Sequence, residues 1–272
     1  MQITKIHTTG NDFIICSDVQ TAGKEAATRL LDRKKGLGAD GLIVVKNDAE
    51  KAPEIQIFSP DGGEERANSN ALIAAAKFIY DGDNSKKESV IKCGGESFTV
   101  RLSVLKNRVL CSWLDMPSIK PRPMEQLKYY HGIRGEVLRA CMAHPRVSLY
   151  SLLGEHAVFM LESAVAVKKL EIRDVCTRLS EVLFYGENID LHFAALSGEN
   201  SLVMRSWRCR GGEMVSSGEG AVLSAYAAVC GELIESERVI VKTLGGSYCA
   251  ELDGRIASLC AKCETVFYGE AI

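Results

Sequence analysis

The chain contains an internal repeat, with two segments of matching character about 150 residues apart. Residues 61–78 and 210–227 each begin with a turn containing Gly-Gly-Glu, continue with small polar residues and end in a nearly unbroken, alanine-containing apolar run. The segments that follow them, residues 90–96 and 240–246, also correspond. Repeats that recur in the same order indicate two homologous halves. The repeat therefore predicts two similar lobes with a cleft on their pseudo-twofold axis.

Each half is predicted to contain one helix with almost no polar face, at about residues 68–80 and 220–233. A helix that is apolar nearly all round must be surrounded on most sides. Segments of alternating polarity, which predict strands, flank both helices. Residues 21–34 predict a further helix, with charged residues on one side, and the proline-rich residues 116–124 mark the best domain boundary. The predicted fold class is α+β, with two pseudo-symmetric lobes, each a curved, barrel-like sheet wrapped around one buried central helix.

Composition limits the partners. The formal net charge of -2 argues against nucleic acid or an anionic membrane surface, which both favour a basic face. No apolar run is long enough for a membrane span, and the first residues lack the apolar core of a signal peptide. Ten cysteines without a secretion signal are typical of thiols in a reducing cytoplasm. Cys260 and Cys263 have metal-ligand spacing, but their alternating surroundings favour strand cysteines, and no metal is expected.

Small residues stand directly before both apolar helices, at positions 68–70 and 217–219. A helix N-terminus carries the positive end of the helix dipole and unpaired N–H groups. Two such termini facing one cleft would bind a carboxylate or stabilise a developing enolate. The alternative is that Asn68 and Ser217 only cap their helices, since Asn and Ser are preferred N-cap residues. The repeat favours the binding interpretation.

Over essentially its whole length the chain resembles the diaminopimelate epimerase family of pyridoxal-phosphate-independent racemases and isomerases. The matching segments are residues 8–13, 32–41, 61–62, 205–207, 211–213, 218–221 and 266–270, together with Asn188. The resemblance implies two similar lobes, with the C-terminal strand returning to the first. The lobes are then 1–117 with 264–272, and 118–263. It also implies an amino-acid substrate between them, held by helix N-termini and asparagines, with no cofactor.

The family's reaction requires two cysteines, one at each of these helix N-termini. One thiolate removes the α-proton and the other thiol protonates the opposite face. In this chain the first position is Asn68 and the second is Ser217. Asparagine has no titratable proton, and a serine hydroxyl is a far weaker acid than a thiol, whose pKa is about 8.5. The sequence therefore argues against the two-thiol mechanism.

Other positions of the family's polar shell are partly kept. Asn11, His156, Asn188 and Glu213 remain, whereas Arg208 and Cys209 replace a glutamate–arginine pair. The residues that the resemblance places at the substrate are Asn11, Asn68, Ser69, Asn70, Asn188, Arg208, Glu213, Ser217, Gly218 and Gly220. The candidate bases are His156, which could equally be structural, and Glu219, beside Ser217 at the second helix N-terminus.

Three functions follow. The favoured hypothesis is a diverged isomerase that moves a proton on a small amino-acid-like or unsaturated carboxylate, because the superfamily also includes relatives that shift double bonds. The first alternative is a non-catalytic protein that binds an amino acid or carboxylate. The second is a diaminopimelate epimerase proper. A homodimer is compatible with the sequence, which does not fix the oligomeric state.

Overall fold

The computed structural model describes residues 1–18, 22–46, 51–123, 146–182, 186, 188–209 and 211–271. Strands predominate in this part of the chain, with eighteen strands and five helices. The chain divides into two compact units. The first consists of Met1–Asp115 with Leu259–Ile272, and the second is Met116–Ser258. None of the helices in the described ranges is long and apolar enough to cross a membrane.

Within its described residues, the first unit consists of nine strands and two helices, of which one helix is central. Its helices are α1 (Lys24–Leu30) and α2 (Ser69–Gly82). Its strands are β1 (Gln2–Thr8), β2 (Asn11–Cys16), β3 (Gly41–Lys46), β4 (Glu54–Phe58), β5 (Glu64–Glu65), β6 (Glu88–Cys93), β7 (Glu96–Leu105), β8 (Arg108–Met116) and β18 (Cys263–Glu270). The C-terminal strand β18 pairs antiparallel with β1. This pairing returns the chain end to the first unit, as the family resemblance implies.

Helix α2 forms the centre of the first unit. Ten of its fourteen residues are buried, and it packs against β1, β2, β3, β6, β7 and β18. Its alanines, among them Ala71 and the run 74–76, are fully buried, so their small side chains let strands approach on several sides. The prediction of a buried helix at 68–80 is confirmed, with an end two residues later. Helix α1 is shorter than predicted, because the Asp32 carboxylate accepts hydrogen bonds from the N–H groups of Lys34 and Lys35 and forms a turn there.

The second unit has the same plan. Its helices are α3 (Ala164–Lys169), α4 (Ile172–Val182) and α5 (Gly218–Cys230). Its strands are β9 (Lys120–Arg122), β10 (Arg146–Ser151), β11 (Glu155–Met160), β12 (Ile189–Gly198), β13 (Ser201–Arg208), β14 (Gly212–Met214), β15 (Arg238–Lys242), β16 (Ser247–Asp253) and β17 (Ile256–Ala261), which runs on into the first unit. Helix α5 has ten of thirteen residues buried and packs against β11, β12, β13, β15 and β16.

The two units place their central helices in equivalent connections. In the first, β4 pairs antiparallel with the short strand β5, α2 follows, and β6 returns parallel to β4. In the second, β13 pairs with β14, α5 follows, and β15 returns parallel to β13. The preceding strands also correspond, since β2 lies parallel to β3 and β11 parallel to β12. Each central helix therefore begins at the same point of its own sheet.

Candidate functional site

Asn68 caps the N-terminus of α2. Its backbone is extended, and its side-chain Oδ1 accepts a hydrogen bond of 2.9 Å from the Ala71 N–H. The next two residues, Ser69 and Asn70, are buried, and the first turn contains no acidic side chain. Capping engages the amide oxygen of Asn68 and leaves its NH₂ group as a hydrogen-bond donor. This terminus can bind an anion, but Asn68 supplies no acid or base.

Asn11 is positioned by an ionic clamp at its neighbour Asp12. Lys5 lies 2.9 Å from the Asp12 carboxylate, and Arg33 bridges Asp12 and Asp40 at 2.8 and 2.7 Å. Each aspartate also accepts a hydrogen bond of 3.1 Å from the other's backbone N–H. Burial alone would raise the pKa of Asp12, but hydrogen bonds and charges from Arg33 and Lys5 together lower it to about 2. The clamp thus joins the family segments 8–13 and 32–41 and fixes where β2 begins.

Ser217 caps α5 in the same way. Its backbone is extended, and its Oγ accepts a hydrogen bond of 3.0 Å from the Gly220 N–H. The preceding Ser216 hydroxyl lies 2.8 Å from the Tyr248 hydroxyl, which anchors the approach to the helix. Unlike α2, α5 carries a carboxylate in its first turn, because Glu219 is the second helical residue and is only 8% exposed. This terminus therefore combines a positive helix end with a buried carboxyl side chain.

Three buried side chains form a directed hydrogen-bond chain beside this turn. Both ring nitrogens of His156 are in hydrogen bonds. Nε2 lies 3.0 Å from the Leu152 carbonyl oxygen, and Nδ1 lies 3.0 Å from His192 Nε2. The remaining nitrogen of His192 lies 2.9 Å from the Ser206 Oγ. A carbonyl only accepts, so His156 Nε2 donates to Leu152. Burial, with a smaller contribution from His156, lowers the pKa of His192 well below its usual value. With both rings neutral, His192 Nε2 donates to His156 Nδ1, and the Ser206 hydroxyl donates to His192 Nδ1.

Gly220 is the residue at which α5 contacts this hydrogen-bond chain. A Cβ atom at Gly220 would lie 2.4 Å from His192 Nδ1 and 2.5 Å from Cε1, far inside van der Waals contact. His192 is fully buried, so its ring cannot turn aside into solvent. Glycine is therefore required here to let the first turn of α5 lie directly on the histidine.

The structure brings some of the predicted site residues together and leaves others apart. Residues 217–220 share one helical turn, and this turn contacts His192, the partner of His156. Asn188 is exposed immediately before β12, and Arg208 is exposed at the end of β13. Glu213 accepts a 2.7 Å hydrogen bond from Arg205 Nε. The site roles of these residues, and the shared cleft between the two helix N-termini, stay predictions.

Sequence reasoning missed His192 and Ser206. The two residues are direct partners in the antiparallel register of β12 and β13. The sequence contained one indication of this pair. Ser206 lies on the same buried face of β13 as the apolar residues Leu202 and Met204. A polar residue on such a face requires a buried hydrogen-bond partner.

The buried cysteines do not supply a thiolate. None of the nine cysteines in the described part of the chain is in a disulfide. Burial raises the pKa of Cys16 and Cys93 to about 11 and that of Cys263 to about 12. These groups are protonated thiols at neutral pH. Cys260 and Cys263 lie in strands β17 and β18, as the alternation predicted.

Comparison with known proteins confirms the resemblance to the diaminopimelate epimerase family. The sequence model described as "Diaminopimelate epimerase" matches residues 3–111. A diaminopimelate epimerase of Methanococcus maripaludis is 24% identical over 99% of both chains. These matches and the motifs quoted above agree in placing the chain beside epimerases.

Solved structures establish the fold. A phenazine biosynthesis PhzC/PhzF protein from Clostridium difficile superposes with a TM-score of 0.72 at 13% identity, covering 100% of this chain and 99% of that one. A hydroxyproline epimerase from Agrobacterium vitis, with bound trans-4-hydroxy-L-proline, gives 0.66 at 12%, covering 99% and 90%. A methylitaconate-delta-isomerase gives 0.59 at 12%, covering 99% and 94%. The predicted fold class, α+β and diaminopimelate epimerase-like, is confirmed.

Proposed function

We propose that this chain is a cofactor-independent isomerase that moves a proton on a small amino-acid-like or unsaturated carboxylate without a thiol pair. The observation that carries the proposal is Glu219, a buried carboxylate in the first turn of α5, two residues after the position of the family's second cysteine. The resemblance to epimerases supports the reaction class. The likeness to a methylitaconate-delta-isomerase supports an unsaturated carboxylate as substrate.

Glu219 is a better candidate base than His156. Both ring nitrogens of His156 are engaged in internal hydrogen bonds, and the ring is 3% exposed. Taking a proton from a substrate would require His156 to break one of these bonds in a buried setting. We assign the His156–His192–Ser206 chain a positioning role, because it supports the turn that carries Glu219.

A carboxylate base limits the substrate. Carboxylates as a class are weaker bases than thiolates, and general-base catalysis depends on the strength of the base. A glutamate base therefore suits a carbon acid stronger than a simple amino acid, such as a carbon next to a conjugated carbonyl. The helix N-terminus stabilises the enolate that forms as the proton leaves.

The test is proton exchange in deuterated water, followed by ¹H NMR, with unsaturated carboxylates and amino acids including diaminopimelate. We expect an unsaturated carboxylate to exchange, and Glu219→Gln to lower its exchange rate at least about 100-fold, a typical contribution of a general base. Glu235→Gln is the matched control, because Glu235 is an exposed glutamate of the same unit. Equal exchange rates in Glu219→Gln and the wild type would refute the assignment of the base.

One observation favours the alternative of a non-catalytic binding protein. The residues at both of the family's cysteine positions, Asn68 and Ser217, serve as helix caps and provide no base. A binding protein would give saturable calorimetric titrations with amino acids or carboxylates and no exchange with any of them. A diaminopimelate epimerase proper would instead exchange the α-proton of diaminopimelate rapidly.

A further inference from the structure

The second unit contains a cavity away from the N-terminal turn of α5. Its volume is about 730 Å³, and it lies between α3 and the segments around β13 and β15. Val167, Val203 and Leu244 supply apolar walls, and residues 217–220 do not line it. Ligand-binding cavities typically measure about 300–1,000 Å³ and combine apolar walls with a few polar groups. The size and the apolar walls suit a small organic molecule.

Arg205 is a preorganised cation in this cavity. Its Nη1 donates to the Leu170 carbonyl at 2.7 Å and to the Val167 carbonyl at 3.3 Å, and its Nε donates to Glu213 at 2.7 Å. The side chain is 16% exposed. Within the described residues its Nη2 group has no hydrogen-bond partner. A guanidinium held on one edge can receive an anion on the other at little cost in side-chain entropy.

The remaining charges also favour an anion. Lys168 and Lys242 line the cavity and form no ion pair within the described part of the chain. Among the described residues, the one acidic residue of the lining is Glu213, which is already bound to Arg205. Three cations thus face one paired carboxylate, so the lining has an excess of positive charge, while the whole chain carries -2.

We propose that this cavity is a binding site for a small organic carboxylate with a hydrocarbon body. The carboxylate is bound by Arg205 Nη2 and the two lysines, and the hydrocarbon packs on Val203 and Leu244. Glu219 does not line this cavity, and the proposal does not depend on the isomerase proposal. Glu213, which the family resemblance places at the substrate, is here the partner of Arg205.

Isothermal titration calorimetry tests the site with 4-methylpentanoate as the probe. We expect a Kd on the order of 0.1–1 mM, which is reasonable for a ligand of this size. The neutral analogue 4-methylpentan-1-ol and inorganic phosphate should each bind at least about 10-fold more weakly. The alcohol lacks the negative charge, and phosphate lacks the hydrocarbon body. Equal binding of either compound, or no saturable heat up to about 20 mM probe, would overturn the proposal.

Variants locate the binding. The double variant Lys168→Gln/Lys242→Gln should weaken probe binding at least about 5-fold, since two of the three cations are lost. Lys262→Gln, an exposed lysine of the first unit, is the matched control and should bind as the wild type does. Glu219→Gln should also leave probe binding unchanged. Loss of binding in Glu219→Gln, with the double lysine variant unaffected, would place the probe at the α5 N-terminus and refute the second site.

Discussion

Replacing Gly220 by alanine should destabilise the protein, although alanine is the better helix former. Alanine at an ordinary helical position gains about 1 kcal/mol over glycine. At Gly220, however, the new Cβ would meet the His192 ring at 2.4 and 2.5 Å. The ring is held at both ends, by His156 at 3.0 Å and by Ser206 at 2.9 Å. Either the helix or the ring must move, and a moving ring breaks buried hydrogen bonds.

The magnitude follows from these opposing contributions. Overpacking a dense core costs about 1–3 kcal/mol, and each buried polar group left without its partner costs a further 1–3 kcal/mol or so. Subtracting the gain in helix propensity gives a net loss of about 1–5 kcal/mol. Domains have unfolding free energies of about 5–15 kcal/mol, so this loss is readily measured.

Urea denaturation followed by far-UV circular dichroism provides the assay, in a double-mutant cycle with His192→Ala. Without the ring, the Cβ fits, and Gly220→Ala should become neutral or stabilising by up to about 1 kcal/mol. Gly82→Ala is the matched control, because an added Cβ at this helical glycine meets no atom within 4 Å. An equal cost of Gly220→Ala with and without His192 would refute the contact as the cause.

The remaining predictions concern charge and caps. Asp12→Asn should lower the unfolding free energy by about 1–2 kcal/mol at pH 7, because Asp12 has a depressed pKa. The variant should also lose less stability than the wild type as the pH falls from about 4 to 2. The raised pKa of Asp40 partly offsets both effects. As the pH falls below about 6.5, the unfolding free energy should decrease by at most about 1.4 kcal/mol per pH unit, since the pKa of buried His192 is lowered. His192→Ala should make this pH dependence smaller in urea titrations. Asn68→Cys with Ser217→Cys should lower the unfolding free energy by about 1 kcal/mol per lost cap, and diaminopimelate exchange by this variant would support the predicted shared site.

The helices that organise each unit could be predicted from composition alone. The alanine-rich runs after the Gly-Gly turns have no polar face, and only a central position satisfies such a helix. Their starts were also predictable, because Asn68 and Ser217 are preferred N-cap residues. The length of α1 was not, since its end depends on the local hydrogen bonds of Asp32 rather than on periodicity.

The candidate site was only half predictable, for a related reason. Helix caps are local, so a sequence window contains them. The hydrogen-bond chain from Leu152 to Ser206 is not local. It connects residues of three strands through the parallel pairing of β11 with β12 and the antiparallel pairing of β12 with β13. Likewise, the contact of Gly220 with His192 depends on where a helix crosses a strand. The sequence pattern around Gly220 resembles a family segment but does not name the side chain that makes glycine necessary.

The two units differ in a way that bears on the reaction. Both central helices begin with a capping residue in equivalent connections, but only α5 has a carboxylate in its first turn and a buried histidine against it. Racemisation needs an acid and a base on opposite faces of one carbon. If Glu219 is the base, it must both remove and return the proton on one face, which suits a shift of a double bond. The shift should then carry deuterium from one carbon of a labelled substrate to the other in ordinary water, and mass spectrometry would detect it. Complete loss of the label, with inversion at the original carbon, would instead require a second acid on the opposite face.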